Sequence, residues 1–281
     1  MIVHLIDGTY ELFRHFYGQR RFNKGEDAPY GAVLGVLNTV LQMIETGATH
    51  IGVATDHVIE SFRNDLWPDY KTGAGIERAL RAQFTPLEEA LAAMGVVVWP
   101  MVELEADDAL ASAAHLAAAD SRVQKICIWT SDKDLAQCVI NDRVVQVDRK
   151  SGKIRNAQEV VAKFGVPPSA IADYLALVGD SADGYPGLRG FGAKTAADVI
   201  ARFHHIEEMP DEVLRDQKEL ALLFKKLATL VSDAPLFETV DALEWHGPRE
   251  DFAALAEKMQ DQRVGQRARR AFDKLSAAKT Q

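Results

Sequence analysis

Nine carboxylates at five places in the chain stand where they could act together. They are Asp7 at the end of "IVHLID", Asp56 at the end of "IGVATD", Glu105, Asp107 and Asp108 in "ELEADDALA", Asp132 and Asp134 in "TSDKD", and Asp180 and Asp183 in "GDSAD". Singly, each group has an ordinary use: aspartates at strand ends brace loops, and acids in a helix's first turn suit its dipole. Jointly that reading fails, because like charges a few Å apart cannot all ionise unless cations lie among them. The donors are all oxygen, with no cysteine or histidine in these motifs, which suits Mg2+ or Mn2+ rather than Zn2+. A many-acid site holding two such ions is a means of hydrolysing a phosphodiester, since the ions supply hydroxide at neutral pH and neutralise the attacking and leaving oxygens.

Two further stretches bear on an anionic substrate. In "DYKTG", Lys71 is a cation that could reach a scissile phosphate, and Tyr70 beside it offers a face for base stacking; spacing alone equally allows a partly buried Tyr70 and a solvated Lys71. In "GDSADGYPGLRGFGAKTA", Gly187, Gly190 and Gly192 permit a tight hairpin, and Ala193-Lys194-Thr195-Ala196 begins a helix whose free N–H groups favour an anion.

The elements that must position these groups follow from the apolar patterning. β-branched runs near 2–6, 51–55, 96–99, 125–130 and 144–147 alternate with helix-period segments near 30–46, 77–94 and 106–119, which predicts a mostly parallel α/β sheet. Asp7, Asp56, Asp132 and Asp134 then fall at the carboxyl ends of strands, the edge where open α/β sheets bind ligands. From about residue 157 strand signals vanish and helices are expected near 157–164, 169–178, 193–203, 217–231, 250–259 and 266–277. The polar, basic stretch at 68–84 is the one long connection.

Composition narrows the class. With 281 residues, 47% of them hydrophobic and 26% charged, the chain can bury a substantial core. A formal net charge of −9 argues against coating nucleic acid by bulk charge, although Arg263, Arg267, Arg269, Arg270, Lys274 and Lys279 form a basic C-terminal stretch that reads as a solvated helix face or a duplex contact. There is no apolar run of membrane length and no signal-peptide pattern, so a cytoplasmic protein is expected. Cys127 and Cys138 have neither metal-site nor disulfide spacing.

With these residues assembled, the chain resembles the 5′-nuclease family, which includes flap endonucleases and the 5′→3′ exonuclease domain of bacterial DNA polymerase I. Six segments carry the likeness in the family's order: "LIDGTYELFRHFY", "YGAVLGVLNTVLQMI", "SFRNDLWPDYKTG", "ELEADDALA", "TSDKDLAQCV" and "VGDSADGYPGLRGFGAKTA". The resemblance implies a PIN-like nuclease core over residues 1–165 with a helical arch at about 68–94, then a helical region over 166–281 with a helix-three-turn-helix element at about 179–203. It implies a free-standing, monomeric nuclease of DNA replication and repair that cuts branched or 5′-ended duplex DNA with two Mg2+ or Mn2+ ions. Carried over, the nine acids are the metal ligands and Lys71 contacts the scissile phosphate, with Tyr70 beside it and Arg14 on another phosphate. Gly187, Gly190, Gly192, Lys194 and Thr195 hold a duplex phosphate, where K+ can also bind hairpin carbonyls.

Two positions depart from the family pattern. Gly184 stands where asparagine is common, and "YKTGAG" lacks a basic residue soon after the lysine, leaving Arg78 and Arg81 as the nearest. "LIDGT" and "GDSAD" also echo haloacid-dehalogenase-like phosphatases, but Leu5 stands where that chemistry needs its nucleophilic aspartate. A protein that binds branched DNA without cutting it is a second alternative, against which the complete acid set argues.

Overall fold

The computed structural model describes residues 1–20 and 28–279. The first half runs β1 (Ile2–Asp7), α1 (Gly8–Arg20), α2 (Gly31–Glu45), β2 (His50–Asp56), α3 (Phe62–Leu66), α4 (Arg78–Arg81), α5 (Phe84–Ala93), β3 (Val97–Met101) and α6 (Ala106–Ala119). It continues through β4 (Lys125–Trp129), β5 (Val144–Val147) and β6 (Ile154–Arg155). Helices α7 (Ala157–Phe164), α8 (Ile171–Val178), α9 (Ala193–Phe203), α10 (Asp211–Leu214), α11 (Lys218–Ala228), α12 (Phe252–Lys258) and α13 (Gln262–Lys279) complete it.

The sheet order is β3-β2-β1-β4-β5-β6, with every neighbouring pair parallel except β5 and β6. Strand order therefore reverses at β1, and the connections leaving β1 and β4 part there to open a crevice at the carboxyl edge. Both faces are covered, so the strands read as nearly unbroken apolar runs: every residue of β2 up to Thr55 is buried. On one face Ile6, Ile51 and Val53 pack against α1, α2 and α5. On the other, Val3, Leu5, Ala54, Ile126 and Ile128 meet α6, whose alanines let it lie close to the strands.

Three differences from the sequence expectation have physical causes. Helix α1 gave no clear amphipathic signal, because Glu11 lies fully buried on its inner face among Arg14 and His15. The helix expected over 77–94 is two helices: Leu80 and Gln83 anchor the break, Gln83 Oε1 accepting from the N–H groups of Ala32 and Val33. Pro86 fits the first turn of α5 but no helix interior, and Leu87, Ala90 and Leu91 make α5 a core helix, leaving residues 71–79 as the open part of the connection. Third, β6 is a two-residue antiparallel edge too short for a pattern.

Helices α7 to α11 enclose a second core around Leu175, Leu177, Ile200 and Phe224. Phe252, Ala256, Val264 and Ala268 of α12 and α13 instead return to the first core beside α2 and α5. Among the described residues no single helix is long and apolar enough to cross a membrane; the one apolar pair, Ala157–Phe164 with Pro168–Val178, is bent by 47°.

Candidate active site

The crevice collects carboxylates from five elements. Asp7 ends β1, its Oδ1 accepting from Tyr10 N at 2.8 Å and its Oδ2 from Thr130 Oγ1 at 3.0 Å. Asp56 ends β2 and accepts from Ala106 N at 2.8 Å, tying the strand to the start of α6. Asp132 follows β4 and caps the next turn by accepting from Asp134 N at 3.0 Å. Asp180 and Asp183 come from the turn after α8, closed by the paired backbones of Asp180 and Tyr185.

Charge interactions divide these acids into two lobes. Burial pushes Asp7 up to about 7, with Asp56 and Asp132 adding repulsion. Asp56 is raised by burial, and Asp107 is raised well above the usual range by burial, Asp132 and Asp7. Asp134 is raised in the same way by burial, then by Asp132, Asp183 and Asp180, while burial brings Asp183 to about 6. Asp132 thus faces both lobes.

The second lobe has the chemistry of a cation site. Asp134, Asp180 and Asp183 each offer an oxygen within 4.8 Å of the others, and Asp134 Oδ1 is buried without a hydrogen-bond partner among the described residues. An all-oxygen donor set with one buried oxygen left without a partner among the described residues fits a hard divalent ion. The fit holds.

Glu105 and Asp108, expected among the ligands, are used differently, and their partner Arg63 was not singled out by the sequence. Arg63 is 1% exposed and bonds bidentately to Asp108 at 2.8 and 2.7 Å. It also reaches Glu105 Oε1 at 3.0 Å and the carbonyls of Leu227 and Thr229 at 2.8 and 3.1 Å. Asp108 additionally accepts from the N–H groups of Glu105 and Val231, so both its oxygens are engaged and its assignment as a metal ligand is corrected to a brace. Glu105 keeps Oε2 on the pocket side, where Lys71 and Tyr70 meet it. Burial pushes Glu105 up, but Lys71 and Arg63 pull it below the usual range.

Lys71 bridges the parts of the site, with Nζ 2.7 Å from Glu105 and 3.0 Å from Asp183. Its loop is seated by Lys71 N donating to Asp183 O at 2.9 Å and Trp67 Nε1 donating to Gly184 O at 3.1 Å. Gly184 explains its own departure from the family pattern: φ is +85°, and a Cβ would lie 2.0 Å from Asp69 O. Tyr70 is 3% exposed and gives its hydroxyl to Glu105 at 3.3 Å, so it presents no face for base stacking and that expectation is corrected. Lys133, flanked by two of the acids in sequence yet passed over, pairs with Asp180 at 2.9 Å.

The remaining expected residues lie outside the crevice. Arg14 pairs with Glu11 and His15, and among the described residues no ion pair joins it to the pocket acids. Arg78 and Arg81 are exposed on α4. In the hairpin, Gly187 is buried with φ +72° and a Cβ would lie 2.4 Å from Gly179 N, so it serves the turn and not a DNA surface, a further correction. Gly190 and Gly192 face open space; Gly192 caps α9 with φ −111°, and Lys194 and Thr195 are exposed in its first turn. At the C-terminus Arg267 bonds Glu45 and Asn38, fixing α13 to α2, and the side chain of Lys279 falls outside the described residues.

Comparison with known proteins agrees with this layout. The chain matches the family model for the 5′-3′ exonuclease N-terminal resolvase-like domain over residues 2–165 and that for the 5′-3′ exonuclease C-terminal SAM fold over 166–251. It is 30% identical over 252 residues to the 5′-3′ exonuclease of Buchnera aphidicola subsp. Baizongia pistaciae, covering 82% of this chain and 81% of that one. It is 31% identical to DNA polymerase I of Pseudomonas aeruginosa over 259 residues, 85% of this chain but 28% of the polymerase. Its fold resembles bacteriophage T5 flap endonuclease, solved in a pseudo-enzyme-product complex with DNA and metal ions, at TM-score 0.63 and 16% identity over 97% of this chain and 98% of that one. The chain belongs to the 5′-3′ exonuclease family, with an α/β core of resolvase-like type and a helical C-terminal SAM fold.

Proposed function

We propose that this protein is a structure-specific DNA nuclease, acting as a 5′ flap endonuclease and 5′→3′ exonuclease in replication and repair through two divalent ions, Mg2+ or Mn2+. The observation that carries the reading is the convergence of Asp134, Asp180 and Asp183 within 4.8 Å in a crevice where Asp134 Oδ1 is buried with no partner among the described residues; burial and mutual repulsion also raise Asp7, Asp107 and Asp134. Asp7, Asp56, Asp107 and Asp132 would hold one ion, and Asp134, Asp180 and Asp183 the other, with Asp132 between them. When bound, the pair supplies an activated water and neutralises charge on the reacting phosphate.

The chain's own groups do the rest. Lys71 is tethered by two ion pairs and lies over the Tyr70 ring, yet stays 27% exposed, so its ammonium can exchange Glu105 and Asp183 for a substrate phosphate once those acids have other cations. Glu105, fixed by Ser61 and Arg63, orients Lys71. Tyr70 lends its hydroxyl to that arrangement rather than its ring to a base. Arg14, Arg78 and Arg81 would contact phosphates on the single-stranded side. Gly190, Gly192, Lys194 and Thr195 would grip duplex backbone at the start of α9, where hairpin carbonyls suit K+. We place the catalytic core at 1–165 and the duplex-gripping region at 166–281, in a cytoplasmic monomer; the free thiols of Cys127 and Cys138 agree with that compartment.

Labelled flap, nicked, blunt and single-stranded DNA incubated with Mg2+, Mn2+ or EDTA test this reading. Cleavage near the 5′ end that requires the metal and favours branched or 5′-ended duplex is expected; cleavage undiminished by EDTA would sink it. In single turnover Lys71→Ala should slow the reaction roughly 10²–10³-fold while leaving affinity in Ca2+ nearly intact.

A further inference from the structure

Strand β5 reads Val144-Val145-Gln146-Val147, and all four residues are buried. Gln146 is the misfit: a primary amide, 0% exposed, in a strand whose other side chains are valines. An aliphatic residue would fill the place with no polar group to satisfy, and burying an amide is unfavourable unless its hydrogen bonds are made.

Both ends of this amide are engaged. Gln146 Nε2 donates to Asp132 O at 2.6 Å, and Gln146 Oε1 accepts from Arg155 Nη1 at 2.8 Å. The neighbours leave the amide one orientation, since a guanidinium can only donate and a carbonyl can only accept.

What the amide holds is the acid placed between the two lobes. Asp132 N donates to Thr130 Oγ1 at 3.1 Å, and Thr130 Oγ1 donates in turn to Asp7 Oδ2 at 3.0 Å. On the other side the Asp132 carboxylate accepts from Asp134 N at 3.0 Å. The bonds among Thr130, Asp132 and Asp134 span two residues each, so they shape the loop without fixing it against the sheet. The backbone ladder from β4 to β5 ends at Trp129 and Val147. Beyond it, the Gln146 side chain ties the Asp132 peptide to β5.

We propose that Gln146, aimed by Arg155, is a positioning residue of the metal pocket: its amide holds the Asp132 carbonyl and so sets where the Asp132 carboxylate stands between the two ions. The inference rests on the two-ion reading above. Outer partners of metal ligands typically change affinity 10–100-fold when removed. A bond to the ligand's backbone, and not to its carboxylate, belongs at the low end.

The test is Gln146→Leu in the whole chain without DNA, with Mn2+ binding followed by electron paramagnetic resonance and melting measured in EDTA. Leucine keeps the apolar filling and removes both bonds. Both Mn2+ affinities of the folded protein should weaken about 10-fold, because Asp132 serves both ions. A structural role alone would lower melting in EDTA and leave those affinities at wild-type values, and that result would overturn the inference. Should Gln146→Leu fail to fold, Arg155→Leu decides, since it keeps the donor and only frees the amide to turn: Mn2+ binding weakened several-fold supports the inference, and wild-type affinities overturn it. If the wild-type protein itself binds no Mn2+, the two-ion reading falls and this inference with it.

Discussion

Two groups of acids lie side by side in this molecule and have opposite fates. Around Arg63, the carboxylates of Asp108 and Glu105 have an internal cation, backbone donors and, for Glu105, the added hydroxyl of Ser61. In the neighbouring pocket Asp7, Asp107 and Asp134 have too few donors and are pushed toward holding protons. Residue type does not separate them. What separates them is whether the fold delivers its own cation: one group braces the structure, and the other is poised for a cation from outside. Lys71, bonded to Glu105 on one side and Asp183 on the other, is the hinge between the two.

The comparison breaks most visibly at Asp134. Asp134→Asn should reduce cleavage by about 10³-fold or more, the scale of several kcal/mol of lost charge stabilisation, while the metal-free protein folds at least as well. In EDTA at pH 8 its melting temperature should rise by about 2–4 °C for each kcal/mol of relieved repulsion. The sign follows from protons: folded Asp7 and Asp183 stay protonated to about 7 and 6, whereas unfolded they ionise near 3.8. Between those values the folded state binds more protons, so apo stability falls as pH rises through that window. The variant's advantage should therefore shrink at pH 5, and wild-type metal affinity should weaken as pH drops from 8 to 6. A variant that melts lower in EDTA at pH 8 would place Asp134 with the bracing acids.

Arg63→Ala probes the opposite group. It strands Asp108 in the interior, and breaking a buried pair in this way costs roughly 3–5 kcal/mol, enough to lower melting by on the order of 10 °C with or without Mg2+. Replacing both partners, as in Arg63→Met with Asp108→Leu, should recover much of that loss. A cost no larger than that of an exposed arginine, measured by thermal melting, would dissolve the distinction between brace and pocket.

The smallest effect lies outside both groups. Lys194→Ala, exposed at the start of α9, should weaken binding of every duplex substrate alike and flatten the slope of log K against log salt by about 0.9, with single-stranded affinity unchanged. An unchanged duplex slope in a Ca2+ titration would return the hairpin to a plain helix corner. Gly192→Val, by contrast, meets no backbone penalty at φ −111° and no neighbouring atom, so any loss of duplex affinity it causes would come from obstructed approach.

Much of this was legible in one dimension. Apolar runs set five of the six strands, and since a strand's carboxyl end follows from chain direction, Asp7, Asp56 and the 132–134 pair were bound to reach one edge. Local geometry was harder to read where polar groups faced inward: α1 hid its pattern behind Glu11, and Tyr70 could be read as either exposed or partly buried because polar neighbours mask a ring that belongs to the second core. Gly184 looked like a defect until the close approach of Asp69 showed what a side chain there would strike.

The sequence by itself determined the donor chemistry, oxygen throughout, and the edge of the sheet at which it would gather, because both depend on residue type and local periodicity. Only the tertiary structure decided which acids are free. Asp108 is spent on Arg63, 45 residues before it, and on Val231, 123 residues after it, while Asp134 is left with an oxygen that has no partner among the described residues. Charge neutralisation inside a protein depends on distances of a few Å between groups remote in the chain, and spacing along the chain carries no record of those distances.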